Sequence, residues 1–377
     1  MYARAKSDLA TINIISKLYG IFNYIMNKKN PGVISTIGQS FVNSLVKQTP
    51  LWAHFYVTRR CNFDCEYCGA RDNLRKDPTI DEVKEIVLKL KDLGCRCVAL
   101  MGGEPTIRAD LVEIIKFCSK NNIYTQLSTN GAFLIDPRRT VNGKTLLKQL
   151  LDAGLGTINI SIDSIVAGFS DSKKELPQAS KTLKALIDEK AKSGLSLMLN
   201  CVITKNNIKQ VPTMLEFCHS NKIIMAAIFV QNPKPLEDYR QNLHLKELLL
   251  KESDKEEVIR TADYLIDKKR NGYQLLEPIA YYEAVKKWIQ GDLDWICDGG
   301  KYALNIDTDG RVGICGYLPY LDLNIRDLKK DYYPQIKDYR EKNLKWCAKK
   351  CIPSCMFCST YYRQNPIQFL WSKIRYS

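Results

Sequence analysis

Three cysteines, Cys61, Cys65 and Cys68, lie in the run CNFDCEYC with the spacing C-x3-C-x2-C, and no fourth cysteine follows nearby. Iron in a cubane cluster is commonly held by cysteine thiolates, one for each of four irons. Three thiolates leave one iron open, and an open iron is where substrate or cofactor chemistry can take place. A second group closes the chain: Cys297, Cys315 and then Cys347, Cys351, Cys355 and Cys358 in CAKKCIPSCMFC. Packing is a poor explanation for six cysteines in this stretch. Four thiolates there would hold a further iron–sulfur cluster or, as the structural alternative, zinc. Cys95, Cys97, Cys118, Cys201 and Cys218 sit in apolar runs and read as core thiols.

Other chemistries fit poorly. His54, His219 and His244 are far apart, with no HxxxH or HExxH, which argues against zinc hydrolysis and a Ser-His-Asp arrangement. The start, MYARAKSDLATINIISKLYGIF, lacks an uninterrupted apolar core and a small-residue cleavage site, so it does not read as a secretory signal. Clustered cysteines argue for metal over a disulfide scaffold. The expected location is a reducing, oxygen-poor cytoplasm, with peripheral membrane contact as an option. The 377 residues, 45% hydrophobic and 26% charged, suffice for one large core and a smaller domain. Lys and Arg exceed Asp and Glu by 56 to 41, giving +15. That balance is compatible with a nucleic acid, an anionic membrane surface or an acidic substrate. The lysines are scattered and not interleaved with aromatics, which leaves nucleic acid third among the readings.

The elements that would position the cysteines alternate along the chain. Leu9, Ile12, Ile15, Tyr19, Phe22 and Met26 predict an amphipathic helix over 8–28, too polar to span a bilayer and suited to packing or to a membrane surface. Strands are expected at 54–58, 95–101, 124–129, 157–162, 195–203 and 224–230. Helices are expected from Thr79 to Leu93, over 111–121 and 146–153, from Ala179 to Ser193, and over 211–220. This order predicts an α/β fold with a parallel sheet, as a partial (β/α)6 TIM-type barrel or a flat doubly wound sheet. The expected division is a helical extension at 1–50, a barrel at 51–235, a helical connection at 236–296 and a cysteine-rich domain at 297–377. A hairpin is expected at 303–315 around Asp309-Gly310, and the apolar tail 369–374 would pack onto a core.

CNFDCEYC after a strand, MGGEP at 101–105, STNG at 128–131 and SIDS at 161–164 together resemble the radical S-adenosylmethionine (SAM) superfamily over roughly 52–232. The resemblance implies a partial barrel and a [4Fe-4S] cluster on Cys61, Cys65 and Cys68. SAM would chelate the open iron, and its reductive cleavage would yield a 5′-deoxyadenosyl radical that takes a hydrogen atom from substrate carbon. It also places Gly102, Gly103 and Glu104 near the methionine amino group and Tyr67 beside the adenine. Ser128, Asn130, Ser161, Asp163 and Asn200 are candidates for further cofactor contacts, with capping as the alternative for Asp163. A flavodoxin- or ferredoxin-type protein would supply the electron.

Cys297, Gly310 and Cys315 resemble the opening of a SPASM or twitch extension, which carries auxiliary clusters. The expected auxiliary [4Fe-4S] ligands are Cys297, Cys315, Cys355 and Cys358, with Cys347 and Cys351 as alternates and a second cluster left open. The expected activity is modification of a large, membrane-presented lipid or isoprenoid. The alternatives are a peptide maturase forming a side-chain cross-link, an RNA-modifying enzyme, and a non-catalytic iron–sulfur redox or scaffold protein.

Overall fold

The computed structural model describes residues 49–168, 172–231, 245–347, 350–365 and 368. The helix expected over 8–28, the boundary at 233–235 and the tail at 369–374 lie outside the described residues.

Six strands follow one another as parallel neighbours: β1 (Trp52–Thr58), β2 (Cys97–Gly102), β3 (Tyr124–Thr129), β4 (Thr157–Ser161), β5 (Ser196–Ile203) and β6 (Ile224–Phe229). Parallel neighbours need crossover connections. These carry α1 (Ile80–Asp92), α2 (Leu111–Lys120), α3 (Leu146–Asp152), α4 (Leu176–Ser193) and α5 (Val211–Ser220). The other edge of β1 takes β7 (Ala303–Ile306) in parallel, and β8 (Val312–Gly313) returns antiparallel to β7. The edges of this sheet are β6 and β8. The result is a largely parallel α/β sheet consistent with a partial barrel. The 303–315 hairpin therefore extends the main sheet through β7.

Alternation along the strands sorts the two faces. Phe55, Val57, Val98, Leu100, Leu127, Ile158, Ile160 and Leu199 are fully buried. Helix α1 buries Val83, Ile86, Val87 and Leu90. At about 1.5–3 kcal/mol for each large apolar side chain, a one-residue slip of any strand would be costly. The opposite face carries half-buried Tyr56, Met101, Ser128, Asn159, Ser161 and Asn200. Helix α1 has a Thr79–Glu82 capping box, acidic residues in its first turn and lysines in its last. Helix α4 begins at Leu176, earlier than the expected Ala179, because Pro177 falls in the first turn, where a missing N–H costs no hydrogen bond. It ends at Gly194, whose φ of 70° is left-handed.

Beyond β6, α6 (Lys255–Arg270) and α7 (Ile279–Gln290) pack together, and α8 (Tyr333–Cys347) and α9 (Ser354–Gln364) close the described chain. Among the described residues no helix is long and apolar enough to cross a membrane.

Candidate functional site

Strand β1 delivers the chain directly into the first cysteine loop. The loop is tied at its root: Asp72 N–H donates to the Arg59 carbonyl at 2.8 Å, and Cys61 N–H to Asn73 Oδ1 at 2.8 Å. Main-chain N–H groups point at the sulfurs, Phe63 to Cys61 at 3.4 Å and Ala70 to Cys68 at 3.5 Å. The Lys173 main chain pulls the Cys65 thiol down as well. Burial pushes the Cys61 thiol up to about 11 against the pull of the Phe63 N–H. It raises Cys65 too, against the nearby Lys174 charge. A bound metal reverses this balance, because a coordinated thiol loses its proton. The core thiol Cys95 behaves differently and donates to the Cys97 carbonyl at 3.3 Å.

The two glycines after β2 are explained by the loop itself. A Cβ on Gly102 would lie 2.0 Å from the Thr58 carbonyl oxygen, and one on Gly103 would lie 2.2 Å from that of Arg60. Gly103 N–H donates to Thr58 O at 2.9 Å, and Glu104 N–H to Arg60 O at 2.8 Å. The close approach is thus to the root of the cysteine loop. Glu104 is buried and ties strand tips together. Its carboxylate accepts from Thr106, from Thr129 Oγ1 at 2.7 Å and from the Asn130 N–H at 2.7 Å. Burial raises its pKa, and these hydrogen bonds oppose the rise.

On the inner face, Ser128 is in register with Asn159, and Ser161 with Asn200. The side-chain oxygens of Asn159 and Asn200 are buried with no hydrogen-bond partner among the described residues. Two orphaned acceptors in a polar lumen suit a ligand that brings donors. Asn159 was not singled out from the sequence, although it stands on the same strand face as Ser161. Asn130 Nδ2 reaches Asn62 Oδ1 at 2.9 Å.

Asp163 is buried and well partnered. It accepts the Tyr67 hydroxyl, Ser172 Oγ at 2.9 Å and the Val202 N–H at 2.9 Å. Tyr67 is buried beneath this group, and burial, then the Asp163 charge, raises its pKa. Lys174 was also missed by sequence reasoning. Its Nζ lies 2.8 Å from the Tyr67 hydroxyl and 3.9 Å from Asp163 Oδ2. No motif spacing marks it.

The C-terminal cysteines divide. Cys297, Cys315, Cys347 and Cys351 line one cavity together with Trp295 and Leu318. All four are buried, and no disulfide joins any of them. Gly299 N–H donates to the Cys297 sulfur at 3.3 Å and Tyr317 N–H to that of Cys315 at 3.4 Å, as in the first loop. Cys355 and Cys358 lie on α9, outside the lining of that cavity. Cys355 is exposed, and Cys358 is within electrostatic reach of buried Glu277. The gathered four thus include the two expected alternates, Cys347 and Cys351, in place of Cys355 and Cys358.

Both donor sets suit iron–sulfur chemistry. Each offers several thiols close together, with main-chain N–H groups aimed at the sulfurs of Cys61 and Cys68 in the first and of Cys297 and Cys315 in the second. Among the described residues no set of three or more His, Cys, Asp or Glu closes around a single shared ion. A cubane does not ask for that, since each thiolate binds its own corner iron.

Comparison with known proteins adds to this geometry. The family model of the radical SAM superfamily matches residues 55–218. A PqqA peptide cyclase of Bradyrhizobium diazoefficiens is 31% identical over 170 residues, which are 44% of this chain and 43% of that protein. The chain therefore spans less than half the length of that relative. An AdoMet-dependent heme synthase of Methanosarcina barkeri is 26% identical over 288 residues, 72% of this chain and 78% of that protein. The structure of Streptococcus suis SuiB bound to precursor peptide SuiA superposes with a TM-score of 0.59 at 18% identity, over 86% of this chain and 77% of that one. At that identity the likeness is one of fold.

Proposed function

Because the chain belongs to the radical SAM superfamily and is an enzyme of that kind, we propose that it matures a peptide by forming a bond at an unactivated side-chain carbon. The carrying observation is the 31% identity to a PqqA peptide cyclase across 170 residues. The shared fold with SuiB, whose structure holds a precursor peptide, agrees with it. These likenesses support a peptide or small-molecule substrate better than the lipid or isoprenoid expected from the N-terminal segment, which lies outside the described residues.

The superfamily's cofactor system, a [4Fe-4S] cluster with SAM, supplies reductive sulfonium cleavage and hydrogen-atom abstraction. In this reading Cys61, Cys65 and Cys68 hold the cluster. Gly102 and Gly103 let β2 seat the cysteine loop, and Glu104 locks the β2 and β3 tips around it. Asn159 and Asn200 offer acceptors to the donors of SAM, with Ser128, Asn130 and Ser161 beside them. Cys297, Cys315, Cys347 and Cys351 would hold one auxiliary [4Fe-4S] cluster, which would supply an electron acceptor. Residues 51–235 act as the catalytic barrel and 297–377 as the cluster-bearing extension, with a flavodoxin- or ferredoxin-type donor as partner.

The test uses the full chain reconstituted anaerobically with iron and sulfide, then given SAM, dithionite and synthetic peptides encoded beside its gene. The expected products are 5′-deoxyadenosine and a peptide lighter by two hydrogens. One hydrogen leaves as an atom, the other as a proton whose electron passes to the protein. Formation of 5′-deoxyadenosine with every such peptide unchanged in mass would overturn the peptide reading.

A further inference from the structure

Residues 172–175, just ahead of α4, lie against the first cysteine loop as a strap. Lys173 Nζ is 3.3 Å from Asp64, the residue before Cys65. Asp163 N–H donates to the Lys174 carbonyl at 2.8 Å, which fixes the strap to the tip of the sheet. Lys174 then turns its side chain inward. Its side chain is 15% exposed, its Nζ donates to Tyr67 Oη at 2.8 Å, and it stands 5.0 Å from the Tyr67 ring centre. Tyr67 is the neighbour of Cys68 in the loop. Burial alone would lower the Lys174 pKa, but the charges of Asp163, Cys65, Cys68 and Cys61 outweigh it and raise it.

Hydrogen bonding does not require this cation. Asp163 already accepts from the Tyr67 hydroxyl, Ser172 and the Val202 N–H. What Lys174 adds is a positive charge, largely shielded from water, within electrostatic reach of Cys61, Cys65 and Cys68, where charges interact more strongly than in water. Adding one electron to a cluster makes it more negative. A neighbouring cation favours the reduced form, and a neighbouring anion disfavours it.

We propose that Lys174 and Asp163 form a part-buried charge pair that sets the reduction potential of the cluster on Cys61, Cys65 and Cys68, Lys174 raising it and Asp163 lowering it. The proposal rests on the reading that those three cysteines hold the cluster. Both residues act through charge and are positioning residues. The step concerned is addition of one electron from the low-potential donor, with no proton transferred.

The experiment is a dithionite titration of the reconstituted full chain without SAM, followed by electron paramagnetic resonance. The relevant signal is identified as the one that changes when SAM is added to a parallel sample. K174M is expected to move its midpoint negative by at least tenfold in the one-electron equilibrium, about 59 mV. D163N is expected to move it positive, and K174R to stay near the parent value. A loss of packing alone would not give shifts of opposite sign. Unmoved midpoints, or shifts of one sign in K174M and D163N at normal iron content, would overturn the proposal alone. If K174M loses its cluster, D163N decides by itself, and an unchanged or more negative midpoint overturns the proposal. Absence of a SAM-responsive cluster in the parent protein would instead overturn the underlying reading.

Discussion

Burial and hydrogen bonding pull the Cys61 and Cys65 thiols in opposite directions, and burial wins in the absence of a metal charge. The same contest, without a metal to resolve it, governs His54. Its buried ring is held at about 4 by desolvation, which a hydrogen bond with Asn305 only partly offsets. In the unfolded chain it titrates near the ordinary 6.5. Between those values the unfolded state binds a proton that the folded state refuses, so stability falls as pH drops from about 6.5 to about 4 and the loss is complete below that. The shift corresponds to about 3 kcal/mol. His54→Gln is expected to remove about that much of the pH dependence of stability, measured by urea denaturation across the window. An unchanged pH slope would show that His54 is not the group responsible.

Helix ends decide which thiols meet. The run CAKKCIPSCMFC reads as one continuous cluster, but α8 ends at Cys347 and α9 starts at Ser354. Between them the Cys351 N–H donates to the Cys347 carbonyl at 3.0 Å, which turns Cys351 back beside it. Gln231 clamps Ile352 through both backbone groups, at 2.7 and 2.9 Å. Ser354 Oγ donates to Glu277 at 2.7 Å, so α9 sets off along a different course. Pro353, just before α9, is the local mark of this break. Cys351→Ser should lower the iron content of the reconstituted chain by about one cluster, while Cys358→Ser should leave it near the parent value. The opposite pattern in an iron and sulfide assay would favour the expected set of Cys297, Cys315, Cys355 and Cys358.

Across the whole molecule, one ionic network joins the first cysteine loop to the C-terminal hairpin. Asp307, just past β7, is 1% exposed and lies 2.8 Å from Arg59 and 3.1 Å from Arg75. Arg59 is itself buried, stacks 4.1 Å over the Tyr56 ring and donates to Tyr320 Oη at 3.1 Å. Arg75 also reaches Asp309 at 2.7 Å. These contacts fasten the root of the cysteine loop to the hairpin that carries Cys315 shortly beyond it. Asp307→Ala takes the carboxylate from a buried guanidinium and should cost about 3–5 kcal/mol. Urea denaturation of the variant would show it, and a loss below about 1 kcal/mol would mean that the network adds little.

Much of the fold was legible because strand and helix periodicities are local. The alternation in TINIS or YTQLST needs only neighbouring residues to be read, and β3 spans the expected 124–129. The cysteine loop and the ordered motifs at the strand tips were equally visible, because each is a run of neighbouring residues. Lys174, Asn159 and the gathering of four of the six C-terminal cysteines at one cavity were not. Lys174 meets Tyr67 only after β4 is laid across the sheet from β1. Asn159 and Asn200 come onto one face only once β4 and β5 take their register. Cys297, Cys315, Cys347 and Cys351 come from separate segments that share a cavity only when the hairpin, α8 and the turn before α9 are packed together. The sequence by itself determined the alternating α/β order of the elements and the gathering of Cys61, Cys65 and Cys68 in one loop. Only tertiary structure decided which distant charges and thiols stand beside one another, because proximity across a sheet depends on register and packing and not on separation along the chain.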